Sequence, residues 1–148
     1  MKVLAILSQK GGVGKTTLAT CLAVAAEQAG KVRALGCSNF DSARLRSALA
    51  ISADRGLPRY ETLQPHYNLI ERASFEGPLQ DLCVREGLGV IPYFSLASGF
   101  LTGKYRSEQD FHKSKRGPGM KKHLHARGHA ILDAQDAELG TGADGAED

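Results

Sequence analysis

The residues best suited to chemistry come first in the chain. Gln9-Lys10-Gly11-Gly12-Val13-Gly14-Lys15-Thr16-Thr17 follows directly on the apolar run "VLAIL". A loop of this kind holds phosphate. Its glycines let backbone N–H groups converge on the anion, a lysine neutralises the β/γ charge, and a hydroxyl holds Mg²⁺. Gly14, Lys15 and Thr16 match the end of the pattern G-x-x-x-x-G-K-[ST], while Gln9 stands where the first glycine belongs. On this reading Lys10, Gly11, Gly12, Gly14, Lys15, Thr16 and Thr17 form a phosphate cradle for Mg-ATP, with Thr16 as the metal ligand. Hydrolysis would also need acids to orient water and complete the metal shell, and no later strand of this sequence ends in such an aspartate.

The surrounding elements must position that loop. Residues 2–7 read as a short buried strand, residues 11–14 as a turn, and residues 15–29, rich in Ala and Leu, as a helix that Gly30 stops. Residues 32–36 are a second short apolar run. Asp41 is placed to cap a helix with Leu45, Ala48, Leu49 and Ser52 on one face, ended by Gly56-Leu57-Pro58. Residues 60–64 read as a third strand. Leu79, Leu82 and Cys83 mark a short helix ending near Gly87, and residues 89–93 read as a fourth strand. Strand then helix, four times over, predicts an α/β fold of βα units with parallel strands.

At 148 residues, 42% hydrophobic and 24% charged, the chain has the composition of one ordinary globular domain. No apolar run is long enough for a membrane span, and the N-terminus lacks the pattern of a signal peptide. The three cysteines, Cys21, Cys37 and Cys83, are scattered with no CxxC pair, so a cytoplasmic protein with small buried thiols is expected. A net charge of +3 is too weak to imply nucleic acid by itself. The charge is uneven, however. Between His112 and His129 lie Lys113, Lys115, Arg116, Lys121, Lys122, Arg127 and no acid. His125 and His129 are one helical turn apart, but no cysteine or carboxylate sits at a ligand spacing, so the segment reads as a solvated basic helix rather than a metal site. The alternative to a plain solvated surface there is a grip on a 2′-phosphate or on nucleic acid. Residues 137–148, "AELGTGADGAED", have almost nothing to bury and predict a disordered acidic tail.

Two family resemblances organise these pieces. Over about residues 1–31 the stretch from Lys10 to Thr16 resembles the deviant Walker A motif of the ParA/MinD partitioning ATPases. The resemblance implies that Lys10 is the signature lysine, Lys15 the phosphate lysine and Thr16 the magnesium ligand. That family continues after "AGK" with a strand ending in an Asp-rich motif. Here "VRALGCSNF" follows, so a cradle is expected without ATPase machinery.

Over about residues 30–136 the blocks "GKVRALGCSNF", "GLPRYETLQPHYNLIER", "EGLGVIPYFSLASGFLTGKYRSE" and, more weakly, "KKHLHARGHAILDA" resemble the aldo-keto reductases in order and spacing. Members of that family fold as (β/α)₈ barrels and bind NADP(H) without a Rossmann domain, and the blocks correspond to the sixth to eighth strands. The resemblance implies that Ser38, Asn39 and Gln64 hydrogen-bond the nicotinamide carboxamide and that Tyr93 stacks on the ring. It also implies that Leu96, Ser98 and the loop through Lys104 line the pyrophosphate. Phe94 departs from members that carry serine there. The family's tyrosine acid, with its lysine, aspartate and histidine, comes from the first four strands. No segment here resembles those, and Tyr60, Tyr67 and Tyr105 lie outside the required context.

The expectation is therefore a hybrid. Residues 1–31 form a ParA-like unit, residues 32–136 a partial reductase barrel that binds a nucleotide with no catalytic residues of its own, and residues 137–148 the tail. The alternatives are a P-loop ATP-binding fragment and a fusion product with no evolved activity. The architecture is expected to resemble a half (β/α)₈ barrel or a small open parallel sheet, whose exposed edges favour a homodimer.

Overall fold

The computed structural model describes residues 12–141 of the chain. Local signals set most of its helix ends. Helix α1 (Lys15–Gln28) starts after Gly14, whose φ of 78° is left-handed, and stops where Gly30 donates its N–H to the Glu27 carbonyl at 2.8 Å. Helix α2 (Ser42–Arg55) is capped by Asp41, whose Oδ1 accepts the Arg44 N–H at 2.7 Å, and ends at the left-handed Gly56. Its predicted inner face holds: Leu45 is buried, and Ala48, Leu49 and Ser52 are half-buried. Helix α3 (Pro78–Arg85) opens on a proline, whose missing N–H would have no partner in the first turn anyway.

The chain divides into two units. The first comprises the described residues up to Gln64 together with Pro78–Ile91, and the second Pro65–Gly77 with the described residues from Pro92 onward. In the first unit, strands β1 (Leu35–Ser38), β2 (Tyr60–Gln64) and β3 (Gly89–Val90) form a parallel sheet in the order β1-β2-β3. The register pairs Cys37 with Leu63 and Ser38 with Gln64, and on the other side Leu63 with Val90. Gly36 stands opposite Thr62, and a Cβ there would collide with the threonine hydroxyl, so a side chain at that position would force Thr62 to shift. Leu35, Cys37, Leu45, Leu63, Leu79, Leu82, Cys83 and Leu88 are buried in this unit. Each fully buried leucine contributes about 1.5–3 kcal/mol relative to an exposed one.

The α/β expectation is borne out, with three parallel strands among the described residues. The predicted first strand, residues 2–7, lies outside them. The second strand forms at Leu35–Ser38 rather than at residues 32–36, because pairing with β2 selects the register and local apolarity does not. The fourth is shorter than predicted. Ile91, just past its end, still donates its N–H to the Leu63 carbonyl at 2.9 Å. Cys37 and Cys83 are buried as expected, and burial pushes both thiols above their ordinary pKa. Cys21 is exposed, contrary to expectation, because α1 buries none of its residues.

The second unit is held by side chains more than by long elements. Three short 3₁₀ segments, Ala97–Thr102, Glu108–Lys113 and Gly117–His123, precede helix α4 (Ala126–Thr141). Phe100, Leu101, Tyr105, Met120 and Leu132 form its core with Ile70 and Ala97, and Phe111, Leu124 and Ile131 pack against it. Arg106 clamps α4 through Asp133 at 2.7 Å and through Asp136, and Arg127 Nη2 donates to the Ile70 carbonyl at 3.2 Å.

One expectation is corrected here. The run from His112 to His129 is not one solvated helix. Gly117-Pro118-Gly119 breaks it into 3₁₀ turns, Gly117 lies against the Phe111 carbonyl with no room for a Cβ, and His123 is buried against Phe100 at 5.2 Å. Helix α4 itself runs to Thr141, with Ile131 and Leu132 set against the core. Among the described residues no helix is long and apolar enough to cross a membrane.

Candidate functional site

In the first unit, the ends of β1 and β2 carry the candidate amide-binding residues. Ser38 Oγ donates to the Gln64 carbonyl at 2.9 Å, and the Asn39 N–H donates to the same oxygen at 3.2 Å. Asn39 has φ 57°, left-handed, a conformation that asparagine tolerates better than most side chains. Ser38, Asn39 and Gln64 are all exposed. Gln64 offers the donor and acceptor pair that a carboxamide needs. The sequence-predicted trio is thus brought together at one end of the sheet.

The same unit holds the described part of the glycine-rich loop. Lys10 and Gly11 lie outside the described residues. Gly12 (φ 71°) and Gly14 (φ 78°) both take the left-handed conformation, and Lys15, Thr16 and Thr17 form the first turn of α1. Lys15 and Thr16 border a cleft of about 440 Å³, but the rest of its lining is apolar, from Ala19 to Ala26 and Val32. Thr16 uses its carbonyl to accept from Thr20 Oγ1 at 2.9 Å. A helix N-terminus and a lysine suit an anion there.

The second unit carries the other candidates. Tyr93 donates its N–H to the Pro65 carbonyl at 3.0 Å and stacks on His66, ring centroids 5.3 Å apart at 20°. Immediately after it the backbone is strained. Phe94 (φ 55°), Ala97 (φ 47°) and Ser98 (φ 59°) are left-handed although none is glycine. Such residues cost about 1–3 kcal/mol each and persist only where their surroundings over-determine them. Here the Ala97 N–H bonds to the Phe94 carbonyl at 2.7 Å, the Gly99 N–H to the Leu96 carbonyl at 2.8 Å, and Asn68 Nδ2 to the Phe94 carbonyl at 3.0 Å. Leu96, with φ −96° and ψ 17°, followed by left-handed Ala97, has the alternation that makes an anion-binding nest of backbone N–H groups.

Leu96, Ser98 and Lys104 border one hollow of about 590 Å³, so three of the candidates converge. Tyr93 is not part of that lining, whereas its neighbour Phe94 is. The hollow has two further cations, Lys115 and Arg116, that the sequence placed only in a diffuse basic run. Two other lysines of that run are engaged elsewhere: Lys113 pairs with Asp110 at 2.6 Å and Lys121 with Glu108 at 2.9 Å. Lys113, with the backbone N–H groups of Arg106 and Ser107, holds the Asp110 carboxyl well below the usual carboxylate range. The sequence reading also passed over His66 and Asn68. The one signal available for Asn68 was a polar residue in the otherwise apolar "YNLI", which must be satisfied if buried.

The hydroxyls of two of the described tyrosines are engaged. Tyr105 is fully buried with its hydroxyl 2.5 Å from Ser114 Oγ. Tyr67 donates to Glu76 at 2.8 Å, and that bond raises its pKa. Among the described residues no group of three or more His, Cys, Asp or Glu could hold a metal ion.

A model of the aldo/keto reductase family matches residues 18–141, beginning inside α1. Protein tas of Escherichia coli (strain K12) is 38% identical over 79 residues, 53% of this chain and 22% of that protein. The aldo-keto reductase dtxS3 of Metarhizium robertsii is 34% identical over 82 residues, 55% of this chain and 22% of that one. L-glyceraldehyde 3-phosphate reductase of Escherichia coli (strain K12) is 34% identical over 80 residues, 54% of this chain and 23% of that one. The matched part of the chain spans less than a quarter of the length of these relatives.

Proposed function

The chain belongs to the aldo/keto reductase family, and on that premise we propose that it is an NADP(H)-binding part of a family oxidoreductase. Ser38, Asn39 and Gln64 take the carboxamide, Tyr93 supports the nicotinamide face, and Leu96, Ser98 and Lys104 take the pyrophosphate. The observation that carries the reading is the hollow of the second unit, where Lys104, Lys115 and Arg116 meet the left-handed loop at Leu96–Ser98. Two ammonium groups, a guanidinium and a backbone nest form a donor set that fits a polyanionic dinucleotide. Bound NADPH would supply the hydride. The residues of this chain bind and orient it, and none is assigned to proton transfer.

Titration with NADPH, followed by nicotinamide fluorescence, tests the reading. Lys104→Ala and Arg116→Ala should each weaken binding by about 12- to 140-fold if a charge-assisted hydrogen bond to phosphate is lost. Raising salt should weaken the intact protein more than either variant. Unchanged affinity in both variants would remove the pyrophosphate assignment.

A second reading treats residues 1–31 as a fused P-loop unit binding Mg-ATP, with Thr16 on the metal. The left-handed Gly14 followed by Lys15 and Thr16 at the start of α1 favours it. It requires Mg-ATP binding that Lys15→Ala abolishes. Pairing of two copies through the sheet edges belongs to the proposal as well, and sedimentation over a concentration series would reveal it.

A further inference from the structure

Tyr93 and Phe94 are held by two residues to which no role has been given. The rings of His66, Tyr93 and Phe94 form a three-membered cluster: His66 is stacked on Tyr93 at 5.3 Å and 20° and edge-on to Phe94 at 5.6 Å and 77°, and Tyr93 meets Phe94 at 5.3 Å and 58°. The backbone reinforces the stack, since His66 and Tyr93 are bridge partners in parallel register. Asn68, only 6% exposed, completes the arrangement. Its Oδ1 accepts the N–H groups of Ile70 and Glu71, both at 2.9 Å, which fixes the side chain. Its Nδ2 donates to the Phe94 carbonyl at 3.0 Å and lies 3.5 Å from His66 Nε2. Glu71, Lys122 and His123 border the same small hollow of about 90 Å³.

We propose that His66 is a positioning residue: its ring, held by Asn68, is the platform that sets the orientation of the Tyr93 ring and with it the grip on the nicotinamide. The inference rests on the NADP(H) reading above. An unsupported tyrosine at a strand end samples several rotamers. A ring stacked beneath it removes that freedom before the ligand arrives, and this is how preorganisation raises affinity. Aromatic pairs add about 0.5–1.5 kcal/mol beyond the area they bury, a factor of about 2–13 in affinity.

The test is NADPH affinity in a cycle of variants of the full chain. Tyr93→Ala should weaken binding, and His66→Leu, which fills the volume without an aromatic face, should weaken it by about 2–13-fold. His66→Phe should restore affinity, since it keeps the ring and discards only the imidazole nitrogens. In the Tyr93→Ala background, His66→Leu should have no further effect. If Tyr93→Ala leaves affinity unchanged, the nicotinamide reading itself fails. If Tyr93→Ala weakens binding but His66→Leu matches the parent, or adds its own loss in the double variant, the positioning role is overturned.

Discussion

Leu63→Ala is the sharpest test of the first unit. Leu63 is fully buried in the central strand, with Cys37 opposite it on β1 and Val90 on β3. Truncation removes three carbons from a side chain that stands on the face of a central strand held by ladders on both sides. The space cannot close by a simple side-chain shift, so the loss includes a cavity contribution. Buried leucines truncated to alanine lose about 2.7–5.0 kcal/mol, and a site that resists collapse belongs in the upper part of that range, about 3.5–5 kcal/mol. With a urea dependence of about 1–2 kcal/mol per molar for a unit of this size, the midpoint should fall by about 2–5 M at constant slope. Far-UV circular dichroism during urea titration reads this directly. Leu57→Ala is the control: Leu57 is 43% exposed, and its loss should stay within about 0.5 kcal/mol. Equal midpoints for the two variants would refute the placement of Leu63 and with it the sheet.

Other expectations are smaller. Asp41→Ala should cost about 1 kcal/mol by leaving the Arg44 N–H without its cap, and Asp41→Asn should lose far less; equal losses in a chemical melt would deny the cap. A thiol reagent should modify Cys21 quickly and Cys37 and Cys83 only on unfolding, so one rapid equivalent is expected and three would contradict the burial pattern. Burial pushes the His123 imidazole below its ordinary pKa, helped by Lys122 and His125 against Glu71. The unfolded side chain takes up its proton first, near pH 6.5. Its stabilising effect is therefore complete above that pH and is lost as pH falls toward the folded value. His123→Gln should melt with a shallower loss between about pH 7 and 5.5 than the parent; parallel curves would count against a buried neutral histidine.

Much of the first unit was legible because its signals are local. Asp41 and Gly56 bracket α2 by capping and left-handed geometry, and the spacing of Leu79, Leu82 and Cys83 names the buried face of α3. The strands were less legible. β1 is placed by its partner, and β3 is only Gly89–Val90, fixed by its pairing with Thr62 and Leu63. In the second unit the sequence misled, since a basic run with histidines looks solvated. What buries His123 is Phe100, distant in sequence, and what breaks the helix is the glycine pair around Pro118. The candidate loop shows the same contrast. Leu96, Ser98 and Lys104 came from a family pattern, while the convergence of Lys115 and Arg116 depends on folding that no local signal states. His66 and Asn68 were invisible because their partners, Tyr93 and Phe94, lie across a long excursion of chain.

The most direct test of the NADP(H) reading is a thermal melt of the chain alone, with NADPH and with Mg-ATP, at ligand concentrations well above any plausible Kd. A ligand that binds only the folded state stabilises it by about 2.7 kcal/mol at 100 times its Kd. The account predicts that NADPH raises the midpoint, that Lys104→Ala and Tyr93→Ala shrink the rise, and that Mg-ATP has no comparable effect. A midpoint indifferent to NADPH, or one raised by Mg-ATP alone, would contradict it.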